Sequence, residues 1–166
     1  MTTTAWARRA AVLTVSDGVT SGARADVSGD VAAIELSKLG FSILHRSVVP
    51  DEKARIEAEI RGWVEGGAVD LVLTTGGTGL GPRDVTPEAV RALLDREIPG
   101  YGELLRSSGL AHTSMAVLAR SLAGNIGSVL VVALPGSPKA VLQGIAALAP
   151  TLSHALDLLA GDTSHR

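Results

Sequence analysis

The sequence contains no cysteine, which removes disulfides, thiolate metal ligands and thiol nucleophiles in one step. Rings are nearly as scarce. Trp6, Phe41, Trp63 and Tyr101 are the only Phe, Trp or Tyr side chains in 166 residues, too few to build the stacking platforms that bind single-stranded nucleic acid. Net charge is -2 with both signs interspersed, so no broad basic field draws in a phosphate backbone or an anionic lipid surface. Neither a nucleic acid nor a membrane is expected as a partner. No apolar run reaches the roughly 18 residues of a membrane span, and the N-terminal stretch Met1 to Arg9 has no signal-peptide apolar region. The four histidines, at 45, 112, 154 and 165, show neither i,i+4 pairing nor acids at zinc-ligand spacing. There is no Gly-x-Ser-x-Gly elbow for a serine hydrolase. These absences predict a cytoplasmic protein, and any phosphate chemistry it performs must be confined to a local site.

What the chain does have is 46% hydrophobic residues, mostly Ala, Val and Leu, enough for one core in a single domain spanning 1–166. Ala10 to Ser16 is a nearly continuous apolar run, the pattern of a strand buried on both faces of a parallel sheet. A polar, glycine-containing stretch follows, and Ser28 is a candidate cap for a helix with Val31, Ile34 and Leu39 inward, stopped by Gly40. Phe41 to Val49 reads as the next strand. Ile56, Ile60, Trp63 and Val64 then fall on one face of a helix over Glu52 to Gly66. Val69 to Thr75 is a strand again. Thr86-Pro87-Glu88 has the cap, first-turn proline and acid of a helix start. Pro99 to Gly109 reads as a short helix, Ser128 to Leu134 as a strand, and a last helix is expected to begin near Pro150. Ala116 to Ala123 fits strand or helix equally. Alternating strands and helices predict an α/β class, three-layer α/β/α domain with a mostly parallel central sheet. In such a sheet the ligand site lies beyond the carboxyl ends of the strands.

Three loops at such ends stand out: Ser16-Asp17-Gly18, Thr75 to Asp84, and Pro135-Gly136-Ser137-Pro138-Lys139. In the middle one, glycines at 76, 77, 79 and 81 let the backbone approach a ligand and turn its amides inward. The hydroxyls of Thr75 and Thr78 offer further donors to phosphate oxygens. The loop is no Walker A sequence, lacking Gly-Lys-Ser/Thr, and Pro82 breaks the dinucleotide-binding Gly-x-Gly-x-x-Gly pattern. Arg83 supplies a cation for phosphate and Asp84 a hard oxygen ligand for magnesium. Asp51 follows a strand and is either a helix cap or a site carboxylate. Lys139 sits in a first helical turn, where a cation opposes the dipole, which hints at a ligand phosphate.

Together these segments resemble the MoaB/Mog family of molybdenum-cofactor biosynthesis proteins, which includes the G domain of gephyrin. The resemblance spans nearly the whole chain. It rests on Leu73 to Gly79, Arg83-Asp84-Val85-Thr86-Pro87-Glu88, Pro99-Gly100-Tyr101-Gly102-Glu103 and Leu134 to Lys139. Ser16-Asp17, Asp26-Val27-Ser28-Gly29 and Pro50-Asp51-Glu52 agree with it. It implies an α/β/α fold, trimers or multiples of trimers, and magnesium-dependent transfer of AMP from ATP to molybdopterin with release of pyrophosphate. Molybdenum enters the product in a later step, which implies contact with the inserting enzyme. The aspartates matching Asp51 and Asp84 are associated with activity in the family. On this reading Gly76, Gly77, Thr78 and Gly79 cradle phosphate, Asp84 holds magnesium, and Asp51 binds magnesium or the pterin. Ser16, Asp17, Thr75, Arg83, Glu103, Pro135, Gly136, Ser137 and Lys139 complete the expected substrate-binding set. Two alternatives carry the same loop: a molybdopterin-binding or scaffolding protein without turnover, and the pyrophosphatase-like module at the front of the CinA family.

Overall fold

The computed structural model describes residues 7–163. Trp6, the start of the N-terminal stretch discussed above and His165 lie outside them. In chain order the elements are β1 (Arg9–Val15), α1 (Asp17–Thr20), α2 (Val27–Lys38), β2 (Ser42–Val49), α3 (Lys53–Glu65), β3 (Leu71–Thr75) and α4 (Thr86–Leu93). Then come β4 (Arg96–Glu97), α5 (Pro99–Leu110), a 3-10 turn (Ser114–Leu118), β5 (Leu122–Ile126), β6 (Val129–Leu134) and α6 (Pro138–Leu159). The six strands form one sheet in the order β2-β1-β3-β6-β5-β4. β2, β1, β3 and β6 run parallel, while β5 and β4 are antiparallel additions at one edge.

The apolar runs of the central strands are continuous because both faces of the sheet are covered. Ala10, Val12, Leu71, Leu73, Leu130 and Val132 pack with Leu36 of α2 and Ile145, Leu148 and Leu152 of α6. The alternate residues Ala11, Leu13, Val15, Val72 and Val131 pack on the other side with Ile56 and Ile60 of α3 and Val90 of α4. Period-two alternation within each strand thus feeds two cores and gives the expected three layers. Each of the fully buried Leu36, Ile56 and Ile60 contributes about 1.5–3 kcal/mol of burial free energy. Among the described residues, no helix is long and apolar enough to cross a membrane.

Several local expectations need correction. The cap of α2 is Asp26, whose Oδ1 accepts from the Gly29 amide at 3.0 Å and from Thr14 Oγ1 at 2.8 Å. Ser28 instead lies buried in the first turn, and Ile34 and Leu39 are 54% and 44% exposed, because the inward face is Ala32 and Leu36. Residue 85 rather than Thr86 occupies the cap position of α4. Asp51 does not cap α3, whose N-cap, Glu52, makes no side-chain bond. Pro150 starts nothing: α6 is a single helix from Pro138, with Pro150 inside it. A mid-helix proline costs roughly 3 kcal/mol. Here it is offset by Leu148, Leu152 and Leu156, all buried around it. The ambiguous 116–123 segment divides into part of the 3-10 turn and the start of β5.

This topology fixes the site. β1 continues to β2 on one side while β3 continues toward β6 on the other, so the strand order reverses between β1 and β3. The loops leaving those two strands open into the crevice where ligands of such sheets bind.

Candidate active site

The loop after β3 passes between its two neighbours in close contact. Gly76 has φ +101° and donates its amide to Leu134 O at 3.1 Å, while a Cβ at this position would run into the carbonyl oxygen of Val15. Gly77 has φ +67°, and a Cβ there would collide with Thr86 Oγ1 and lie 3.0 Å from Asp51 Oδ1. These two positions require glycine on conformational and steric grounds together. On the opposite wall, a Cβ on Gly136 would meet the Gly76 Cα at 3.1 Å. Thr75 corrects an expectation: its hydroxyl donates to Pro135 O at 2.9 Å, tying two loops together instead of serving as a phosphate donor.

Beyond Gly77 the main chain is polar and open. Among the described residues, the amides of Gly77, Thr78, Gly79 and Leu80 have no hydrogen-bond acceptor. Four successive unpaired N–H groups are unusual in a folded chain and mark a place where an acceptor from outside the chain fits. Asp84 folds back over the same loop, its Oδ2 accepting from the Gly81 amide at 2.8 Å.

Two lobes of one cleft meet at this loop. The first, about 670 Å³, is walled by Ser16, Arg24, Ser28, Asp51, Thr75, Gly76 and Ser137 among others. The second, about 480 Å³, is walled by Thr78, Gly79, Leu80, Met115, Leu118 and Pro135. Gly77, Asp84 and Gly136 belong to both, forming a waist. The first lobe is hydroxyl-rich and the second largely apolar.

The remaining site residues divide clearly. Ser16 caps α1, accepting from the Val19 amide at 3.2 Å, and Ser137 caps α6, accepting from the Ala140 amide at 3.1 Å. Asp17 and Asp51 exchange bonds: the Asp17 amide donates to Asp51 Oδ2 at 2.8 Å and the Asp51 amide to Asp17 Oδ1 at 3.0 Å. Arg83 binds Asp17 with Nε and Nη2, both at 3.0 Å. Asp17 and Arg83 therefore form a clasp across the rim and line neither lobe. The Arg83 guanidinium and the Asp51 amide hold the Asp17 carboxyl below the usual carboxylate value. Asp51 goes the other way: burial pushes its carboxyl up, and the negative charges of Asp17 and Asp84 add to the rise. Lys139 and Glu103 are exposed and line neither lobe.

Arg24 and Arg120 escaped the sequence reading, and Ser28 was expected there only as a helix cap and as part of the Asp26-Val27-Ser28-Gly29 segment. Arg24 lies in the first lobe with its Nη2 3.4 Å from Ser16 Oγ, and Ser28 lies beside it in the first turn of α2. Arg120 binds the outer part of the glycine loop, through its amide to Thr78 O and its guanidinium to Gly79 O and Asp84 O. Its only sequence signal is a lone charge at the entrance to the buried strand β5.

Comparison with known proteins agrees with this geometry. The family described as "Probable molybdopterin binding domain" matches residues 11–154. A molybdenum cofactor biosynthesis bifunctional protein of Chlorobaculum tepidum is 36% identical over 93% of this chain, which spans 49% of that protein. The chain thus covers about half the length of such relatives. A molybdopterin adenylyltransferase of Helicobacter pylori is 36% identical over 91% of this chain and 87% of its own length. The crystal structure of the molybdopterin biosynthesis enzyme MoaB from Thermus thermophilus superposes with a TM-score of 0.88 at 45% identity, covering 93% of this chain and 97% of the other. A six-stranded sheet, a glycine loop at its switch point and relatives of this kind lead to one conclusion: the chain belongs to the molybdopterin-binding domain family of molybdenum-cofactor biosynthesis proteins.

Proposed function

We propose that this protein transfers AMP from ATP to the terminal phosphate of molybdopterin, releasing pyrophosphate. The observation that carries the reading is the run of unpaired amides that starts at Gly77, at the waist between two lobes, and continues through Leu80 along the second. An oxygen of the molybdopterin phosphate attacks the α-phosphorus of ATP. The new P–O bond forms as the bond to the bridging oxygen breaks, and the electron pair leaves with pyrophosphate. No protein nucleophile is needed, which fits a chain without cysteine and a loop without a serine elbow. The enzyme must bring together two anions that repel each other. Main-chain amides at a waist shared by two lobes do this without carrying a full charge of their own.

The carboxylates fit a magnesium ion. Asp51 and Asp84 both line the first lobe, and the Asp51 carboxyl, raised by burial first, is raised further by the negative charges of Asp17 and Asp84. Among the described residues no group of three or more His, Cys, Asp or Glu could hold a metal. Magnesium can be bound through one or two carboxylates, with substrate phosphates and water completing its shell. Held by Asp84 and Asp51 with ATP, magnesium would neutralise charge growing on the departing pyrophosphate. A homotrimer, cytoplasmic residence and contact with a molybdenum-inserting enzyme belong to the same proposal.

Pyrophosphate release from magnesium ATP, measured with and without molybdopterin, tests the reading. Release that requires molybdopterin is expected. Tight molybdopterin binding with no release would make the protein a carrier, and release without molybdopterin would place it with the pyrophosphatase-like alternative.

A further inference from the structure

Three carbonyls in the outer limb of the glycine loop, Thr78 to Val85, are held from one residue. The Arg120 amide donates to Thr78 O at 2.9 Å, its Nε to Gly79 O at 2.8 Å and its Nη2 to Asp84 O at 2.6 Å. Nη1 pairs with Glu88 of α4. Every donor-bearing part of the side chain is thereby committed within the protein, and Arg120 lines neither lobe. It is not placed to touch a substrate.

Its effect follows from peptide geometry. No peptide among the described residues is cis, and in a trans peptide the C=O and the following N–H point in opposite directions. Drawing the carbonyls of residues 78, 79 and 84 toward Arg120 therefore turns the amides of Gly79, Leu80 and Val85 away from it. Those three amides have no acceptor among the described residues, and Gly79 and Leu80 line the second lobe. Resting on the adenylyl-transfer reading, we infer that Arg120 is a positioning residue for the nucleotide phosphates. It orients the outer-limb amides as one unit while its own charge is spent on carbonyl oxygens and Glu88. Lysine, a point charge with no planar fork, cannot span the two carbonyls 79 and 84 in the same way.

The test compares wild type, Arg120→Lys and Arg120→Ala. Adenylylation kinetics and calorimetric binding of magnesium ATP are measured, and amide shifts of 15N-labelled protein are followed as magnesium ATP is added. The KM for ATP should rise about tenfold or more in both variants, the scale of losing charge-assisted hydrogen bonds, with a smaller change in KM for molybdopterin. In wild type the amides of Gly79, Leu80 and Val85 should shift with ATP, and in Arg120→Lys this response should be lost while that of Gly77 survives. Full rescue of ATP affinity by lysine would overturn the inference. So would wild-type outer-limb amides that ignore ATP while Gly77 responds, a result that does not depend on either variant folding. Failure of wild type to bind ATP at all would instead overturn the adenylyl-transfer reading on which the inference rests.

Discussion

The two limbs of the glycine loop are held by different means. The inner limb, Thr75 to Gly77, is fixed by its own covalent geometry and by main-chain neighbours. Gly76 donates to Leu134 O, Gly77 O accepts from the Thr86 amide at 3.0 Å, and a side chain at either glycine meets Val15 or Thr86. The outer limb, Thr78 to Val85, is held by side chains: its own Asp84 on Gly81, the Arg83–Asp17 clasp, and Arg120, 41 and 36 residues in sequence from the Gly79 and Asp84 carbonyls it binds. The lesson is that one loop combines a half set by glycine sterics with a half set by tertiary side-chain contacts. Substitutions should separate them.

The largest effect is expected on the inner limb. Gly77→Val places a β-branched side chain at φ +67° against Thr86, a conformation that costs of order 1–3 kcal/mol before any clash. Ligand binding should be abolished in calorimetry with either molybdopterin or ATP, together with a lowered melting temperature. Near-normal affinity would show that the inner limb is not a cradle. Next comes the waist. Asp84→Asn retains an oxygen to accept from Gly81 and so should fold normally, yet adenylylation should slow by at least about a hundredfold, the scale of one well-placed electrostatic group. Unchanged kcat in a purified variant would remove Asp84 from the chemistry.

A smaller effect sharpens the outer limb. Glu88→Gln removes the charge opposite Arg120 Nη1 but leaves the bonds to Gly79 O and Asp84 O. Exposed pairs of this kind contribute roughly 0–1 kcal/mol, so the KM for ATP should change by less than about fivefold. A loss as large as that in Arg120→Ala would move the holding role from the carbonyl contacts to the ion pair. The smallest effect is electrostatic. The Asp84 charge helps raise the Asp51 carboxyl above its usual value. Asp84→Asn removes a like charge and so favours ionised Asp51. Carboxyl NMR titration should find the Asp51 pKa lower in that variant than in wild type, and no downward movement would refute the coupling.

The same contrast explains what was legible in the sequence. The central strands, α3 and the inner limb are written in local pattern: apolar runs, 3.6-residue spacing, and glycines where no Cβ fits. That Lys139 sits in a first helical turn was equally readable, because Ser137 caps α6 from within one turn. The errors came where distant residues decide. Asp26 outcompetes Ser28 as a cap because Thr14 on β1 also binds it. Pro150 sits inside α6 because the buried leucines around it hold the helix on the sheet. Thr75 turns to Pro135 because β6 brings that carbonyl alongside. The clasp of Asp17, Asp51 and Arg83 joins three loops that meet only once the strands align. Arg120 belongs with these.

A crystal structure with molybdopterin or a non-hydrolysable ATP analogue bound is the most direct measurement. The account predicts phosphate oxygens at hydrogen-bond distance, about 2.7–3.2 Å, from amides of both limbs, with the reacting ends of the two ligands meeting at Gly77 and Asp84. Ligand density remote from residues 75–84 would contradict it.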